Sequence, residues 1–321
     1  RIIPAANICP YIIDAPTVFI ESRAKPICDV PQMTYGNKPT DDGNLILSGV
    51  EREAILHDTP ALAPFIRRYV GSRDFINADE VRYCLWLKDA SPAIYHGNRE
   101  VMRRLAAVRG FRLDSSASPT RKMAEQPWQF FSSPHTESLY LLVPEVSSER
   151  RRYVPIGFMD AHVIAANTVS IVPNATVYHF GVLTSSAHMA WMRVVAGRLK
   201  SDYRYSGAIV YNNFPWPNIP HAKSAKGAKG DSAETSRTSR EIISQTAQAI
   251  LDARVAHPDC SLAVLYDPLT MPPDLRAAHE ANDRAVLAAY GLKPDTPEPE
   301  IVAHLFGLYA AMTASTKESC Q

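Results

Sequence analysis

Hydrophobic positions along this chain follow two periods in turn, and the change between them gives a first outline of its elements. Residues 1–20 are extended and punctuated by proline, and Thr17-Val-Phe-Ile20 predicts a short strand. Ser48-Gly-Val-Glu51 is a capping box, in which each end's side chain satisfies the other's free backbone N–H; it opens a helix to about His57. Residues 62–70 predict another helical turn or two, and residues 80–87, rich in Val, Tyr and Trp, predict a strand. Asn98 caps a helix running to Val108, with Gly110 placed to end it. Ser118-Pro119 starts a further short helix, since the missing proline N–H costs nothing in a first turn. From Leu139 the pattern turns to strands, at 139–143, 153–158, 169–172 and 176–180, with turn chemistry at Asn167 and Asn174. Ser186 then caps a helix reaching Ala196, and Gly197 stands at its end.

Strands and helices are mixed here without the regular alternation of a doubly wound sheet, so residues 17–217 predict an α+β fold. Residues 221–240 are mostly Lys, Gly, Ser, Ala and Thr with few apolar positions, the composition of a flexible linker. Three helices follow, near 240–257, 273–290 and 298–312; Ile243, Ala247, Ile250 and Leu251 keep helical spacing on the first. Gly291 ends the second in the usual C′ role. The predicted organisation is a connector over 1–16, an α+β domain over 17–220, a linker over 221–240 and a small all-α domain over 241–321. A length of 321 residues suits two domains. There are no internal repeats.

Charge changes the picture more through its distribution than its total. The formal net charge of +1 is small for a nucleic-acid binder. Between Asn98 and Glu125, however, seven cations face three anions, and between Pro258 and Glu300 eight acids face three cations. A basic early part and an acidic end are thus hidden in a near-neutral sum. No apolar run approaches the roughly 18 residues that would span a membrane. The chain opens on Arg1-Ile-Ile-Pro with neither an initiator Met nor a signal-peptide core, so it reads as a piece of something longer. Its five cysteines are scattered and odd in number, which predicts free thiols and a cytoplasmic setting.

The densest chemistry lies at Gly197-Arg-Leu-Lys-Ser-Asp-Tyr-Arg-Tyr-Ser206 and Val210-Tyr-Asn-Asn-Phe-Pro-Trp-Pro217. Cations that attract phosphate are interleaved there with flat rings that offer stacking surface, a mixture suited to a nucleic-acid groove. The block resembles the end of the target-recognition region of MmeI-like single-chain restriction–modification enzymes (type IIL). The resemblance extends through Glu21-Ser-Arg-Ala-Lys-Pro-Ile-Cys-Asp-Val-Pro31, Gly43-Asn-Leu-Ile-Leu-Ser48 and Leu265-Tyr-Asp-Pro-Leu-Thr-Met-Pro-Pro273, so it covers nearly the whole chain in order. It implies sequence-specific recognition of double-stranded DNA. The rest of such an enzyme would carry an upstream N6-adenine methyltransferase domain using S-adenosylmethionine and, further upstream, a nuclease using a divalent metal. None of that chemistry is expected within this chain, for which no cofactor or metal residue is named.

The candidate DNA-contact residues are Arg193, Arg198, Lys200, Tyr203, Arg204 and Tyr205, together with the run Arg150, Arg151 and Arg152. Each has a plainer reading: a solvated face or an ion pair with Asp202 for the first group, a solvated hairpin loop for the run. Arg103 and Arg104 read first as helix surface, with DNA contact as the second reading. The resemblance further implies that 197–206 and 211–217 are scaffold or phosphate contacts, with base readers within 179–193. Asn213-Phe-Pro-Trp216 superficially fits the Asn-x-Pro-aromatic signature of amino-group methyltransferases, but no glycine-rich strand–turn–helix for S-adenosylmethionine precedes it. Two other functions stay open: the recognition part of a methylation-only phage-defence methyltransferase, and a protein-interaction module with no nucleic-acid role.

Overall fold

A computed structural model of the chain describes residues 5–217 and 231–318. The fold mixes short strands with helices and ends in a helical region, the α+β class read from the sequence. It forms two compact units, each discontinuous in sequence: residues 34–143 with 158–171, and residues 1–33 with 144–157 and 172–321.

In the first of these, one sheet runs in the order Ile46–Leu47, Arg82–Leu85, Ile66–Val70, Ile164–Ala165. Its last strand joins parallel, with Tyr69 opposite Ile164. The helical turns expected over 62–70 are instead a 3-10 turn, Pro60–Phe65, followed by a strand. Pro64 cannot supply the N–H that would extend a helix, and Ile66, Tyr69 and Val70 bury their side chains in the sheet's cores. A second sheet has the order Thr34–Tyr35, Val169–Pro173, Tyr140–Pro144, Gly157–Met159. Of the strand predicted over 153–158, only the end from Gly157 is regular. Beside this sheet Gly36 passes so close to the neighbouring chain that a Cβ there would lie 1.9 Å from the Ala166 carbonyl oxygen.

The capping box at Ser48 is present: the Ser48 N–H donates to Glu51 at 2.8 Å and the Glu51 N–H returns to Ser48 Oγ at 3.3 Å. Asn98 caps the helix Arg99–Leu113 through the Val101 N–H, but the helix continues through Gly110, where open space surrounds the missing side chain. Arg112, near its end, is fully buried and donates to the carbonyls of Pro39, Thr40, Met123, Gln126 and Gln129 at 2.7–3.0 Å. One guanidinium therefore fastens residues 39–40 to residues 123–129. Arg104 is buried as well, donating to Glu51, Glu100, and the carbonyls of Asn44 and Ile46. The second reading of Arg104, DNA contact, is thereby corrected: this arginine is an interior strut.

In the other unit residues 17–20 are extended but form no strand, because the Ile20 N–H bonds the Tyr11 hydroxyl at 3.0 Å rather than a neighbouring strand. The strand expected over 176–180 is a helix, Val177–Leu183, opened by Thr176 with His179. Its residues Tyr178–Leu183 are buried on all sides, so β-branched and aromatic side chains are chosen there for core packing and mask the helical period. Ser185, one residue before the predicted cap, starts the helix Ser186–Val195. The helix Asp231–Val255 begins inside the stretch read as a linker, whose residues 221–230 lie outside the described residues. This helix lies against Val177–Leu183 closely enough that a Cβ on Gly181 would stand 2.8 Å from the Ala247 methyl. Helices Pro273–Ala289 and Glu298–Glu318 complete the unit, with Gly291 at φ 72° just after the former. Trp191, fully buried, meets Phe306 edge-on at 5.6 Å. Among the described residues no helix is long and apolar enough to cross a membrane.

Candidate nucleic-acid interface

Strands Gly197–Leu199 and Asp202–Arg204 form an antiparallel hairpin, turned by Lys200 and Ser201. The second strand also pairs with Val146–Ser147, with Tyr203 opposite Ser147 and Arg204 opposite Val146. That pairing brings together two clusters more than forty residues apart in the sequence, since the loop carrying Arg150–Arg152 follows directly from Val146–Ser147. Glu149 lies 3.9 Å from Arg198, and Arg151 feels the charge of Asp202.

Alternation along the strand decides which side chains face out. Tyr203 and Tyr205 are buried, whereas Arg204 is exposed and Asp202 half-buried, as the period of two requires. Arg198 is exposed and lies across the ring of its cross-strand partner Tyr203, 3.7 Å from the centroid. Tyr205 is interior, its hydroxyl 2.9 Å from His188 Nε2. Burial holds that imidazole neutral, its pKa pushed down to about 3. These two tyrosines, named as base-stacking candidates, thus present no free ring face; their work is under the sheet. Lys200 occupies the left-handed region at φ 57° on the exposed tip of the hairpin. A lysine there is uncommon and costs roughly 1–2 kcal/mol relative to the right-handed form.

Of the arginine run, Arg150 and Arg152 are largely exposed, 4.0 Å from Asp267 and 3.8 Å from Asp283 respectively. Arg151 is half-buried, and desolvation lowers its pKa against the pull of Asp202 and Asp267. Arg193 departs from the group: its guanidinium is engaged by partners of its own chain, Glu298 at 2.9 Å and the Arg152 carbonyl at 2.6 Å. The exposed pairs at 3.9–4.0 Å are long and solvated, worth about 0–1 kcal/mol each, so a phosphate could displace them. Sequence reasoning named Asp202 as an ion-pair partner but overlooked the other carboxylates that share this surface, Glu145 and Glu149. Glu145 is half-buried and its pKa is raised by desolvation, with the Arg204 charge opposing. The spacing of acids between the basic positions was the available signal.

The stretch 179–193 cannot hold base readers as expected, because Tyr178–Leu183 and Ala187–Met192 are buried helix. Asn213 of the methyltransferase-like motif is likewise interior; its amide donates to the Glu21, Ala208 and Ile209 carbonyls and its oxygen accepts from Arg23 Nε at 2.8 Å. Gly71, a single glycine, joins strand Ile66–Val70 to a helix, and a Cβ added there would meet Thr168 Oγ1 at 2.6 Å and Asp74 Oδ2 at 3.3 Å. Among the described residues no three His, Cys, Asp or Glu side chains converge as a metal site.

Residues 14–218 match the family profile described as MmeI, target recognition domain, and residues 235–316 match that described as MmeI, C-terminal domain. The chain belongs to the MmeI family. A curated relative, DNA methyltransferase A of Bacillus subtilis (strain 168), is 36% identical over 308 residues, 96% of this chain and 33% of its own length. The solved type IIL restriction-modification enzyme MmeI, in complex with DNA, superposes with a TM-score of 0.87 at 42% identity, covering 97% of this chain and 39% of that one. The chain thus spans about a third of the length of the relatives it matches.

Proposed function

We propose that this chain reads duplex DNA for a type IIL restriction–modification enzyme. The observation that carries the reading is the exposed cationic hairpin Arg198, Lys200 and Arg204, set beside Arg150 and Arg151 by the Val146–Ser147 pairing. Strand hairpins fit the major groove, where guanidinium and ammonium groups meet guanine edges and phosphates alike. The base readers belong on this hairpin in our reading, because Arg198, Lys200 and Arg204 are exposed there while the helices within 179–193 are largely buried. Membership of the family and a solved relative bound to DNA support the same reading.

The longer protein would hold an upstream domain that binds S-adenosylmethionine and methylates adenine N6, and a metal-dependent nuclease beyond it. A methylation-only enzyme is the second reading, favoured by the name of the curated relative; the upstream sequence separates the two. A cytoplasmic setting follows from either.

Binding of the full-length protein to duplex DNA across a salt series tests the proposal. Replacing Arg198 or Lys200 by alanine should weaken binding. A residue that touches phosphate alone should also reduce the salt slope by about one unit, whereas a base contact should relax one position of the target by about 1–3 kcal/mol. Binding indifferent to salt and to both substitutions would return the chain to the class of protein-interaction modules.

A further inference from the structure

The loop bearing Arg150–Arg152 is held by side chains of the C-terminal helical region. The Tyr153 hydroxyl donates to Asp283 Oδ2 at 2.7 Å, and the Ser186 N–H donates to the other oxygen of that carboxylate at 2.7 Å. The His279 ring stacks on Tyr153 at 4.1 Å with an interplanar angle of 20°. Its Nε2 lies 2.8 Å from the Tyr266 hydroxyl, which accepts from Arg254 Nε at 2.8 Å. Arg254 in turn donates to the Ile156 carbonyl at 2.6 Å. Arg193 closes the set through the Arg152 carbonyl. The backbone from 152 to 156 is therefore pinned at both ends and at Tyr153 between them. Tyr153, His279 and Asp283 are buried, so the pins are interior while Arg150 and Arg152 face solvent.

A buried carboxylate is retained at a cost in desolvation, and here its two oxygens serve a loop and a helix start. A guanidinium on a fixed loop meets phosphate without first losing backbone freedom, which raises affinity through preorganisation. We propose that Asp283, acting through Tyr153, positions the Arg150–Arg152 loop against the DNA backbone. The role rests on the DNA-reading function proposed above. Asp283 touches no DNA in this account; it is a positioning residue.

The test compares Tyr153→Phe and Asp283→Asn in the full-length protein with wild type, on random-sequence duplex at several salt concentrations. Both variants keep the shape of the side chain. Binding should weaken about tenfold and the salt slope should flatten by about one to two units, because the slope counts the phosphates contacted. A purely structural role would lower the unfolding midpoint and leave the slope alone, and that outcome overturns the proposal. Arg150→Ala/Arg151→Ala/Arg152→Ala should flatten the slope itself, and adding Tyr153→Phe to it should flatten the slope no further. Additional flattening would show that Tyr153 acts elsewhere, again against the proposal. If the triple variant and the hairpin variants all leave the slope unchanged, the DNA-reading function falls and this inference with it. If they flatten the slope while Tyr153→Phe and Asp283→Asn do not, only the positioning role falls.

Discussion

Adding one methyl group at Gly36 should do more damage than removing most surface charges. The added Cβ would lie 1.9 Å from the Ala166 carbonyl oxygen and 2.6 Å from its carbon, and both are backbone atoms that cannot swing aside. Ordinary contact begins near 3.4 Å, so the two chain segments must part by about 1.5 Å. The Gly36 N–H reaches Val169 O at 2.9 Å and the Asn37 N–H reaches Ala165 O at 2.7 Å. Neither bond survives such a retreat. Each contributes about 0.5–1.5 kcal/mol net, and a buried donor left without a partner adds about 1–3 kcal/mol. We expect Gly36→Ala to cost about 3–5 kcal/mol. Gly110→Ala is the matched control: its Cβ enters open space in a helix interior, where Ala should gain about 0.5–1 kcal/mol over Gly. Urea unfolding followed by the fluorescence of Trp86 and Trp128, which share the Gly36 unit, measures both. A Gly36→Ala midpoint within about 1 kcal/mol of wild type would refute the close-approach argument.

Arg112→Lys keeps the charge but has three donors for five carbonyls, so we expect a loss of about 3 kcal/mol or more, read by the same unfolding assay. A midpoint like that of wild type would mean the loops hold themselves. His188 should make the protein acid-sensitive. Its folded pKa, about 3, lies below the unfolded value near 6.5, so the unfolded chain takes up the proton first. Stability is full above pH 6.5 and falls toward pH 3 by up to about 1.4 kcal/mol per pH unit from this residue. His279, also depressed by burial, adds in the same direction. His188→Gln should flatten the curve between pH 6.5 and 5 in urea titrations; an unchanged slope would show that His188 is not the group responsible.

What could be read from the amino acids alone was local chemistry. Ser48, Asn98 and Gly291 act within one helical turn of themselves, and each does what its type predicts. Arg104 and Arg112 look like surface charge in a basic stretch, because nothing nearby in sequence announces the carbonyls they serve. The cations of the interface were visible, but their assembly was not, since it depends on Val146 finding Arg204 across the chain. The tyrosines were misread although Asp202-Tyr-Arg-Tyr205 already alternates in strand fashion, which places both rings inward. The words Glu21–Pro31 and Tyr211–Pro217 are fastened to each other: the Asn212 side-chain amide to Arg23 O, Ile27 N–H to Asn212 O, and the Tyr211 hydroxyl to Pro31 O. Their recognisable spelling belongs to the framework.

Because helix Val177–Leu183 is seated on helix Asp231–Val255 through Gly181, and Tyr153 on Asp283, the hairpin's foundation is laid partly by the last ninety residues. Anyone exchanging specificities between relatives by cutting near residue 218 would transplant a reading surface without its footing. A chimera made there should inherit mismatched neighbours at Gly181, Ala247 and Asn282. One that swaps only the Gly197–Arg204 hairpin and the 148–152 loop leaves every one of those seams within a single parent.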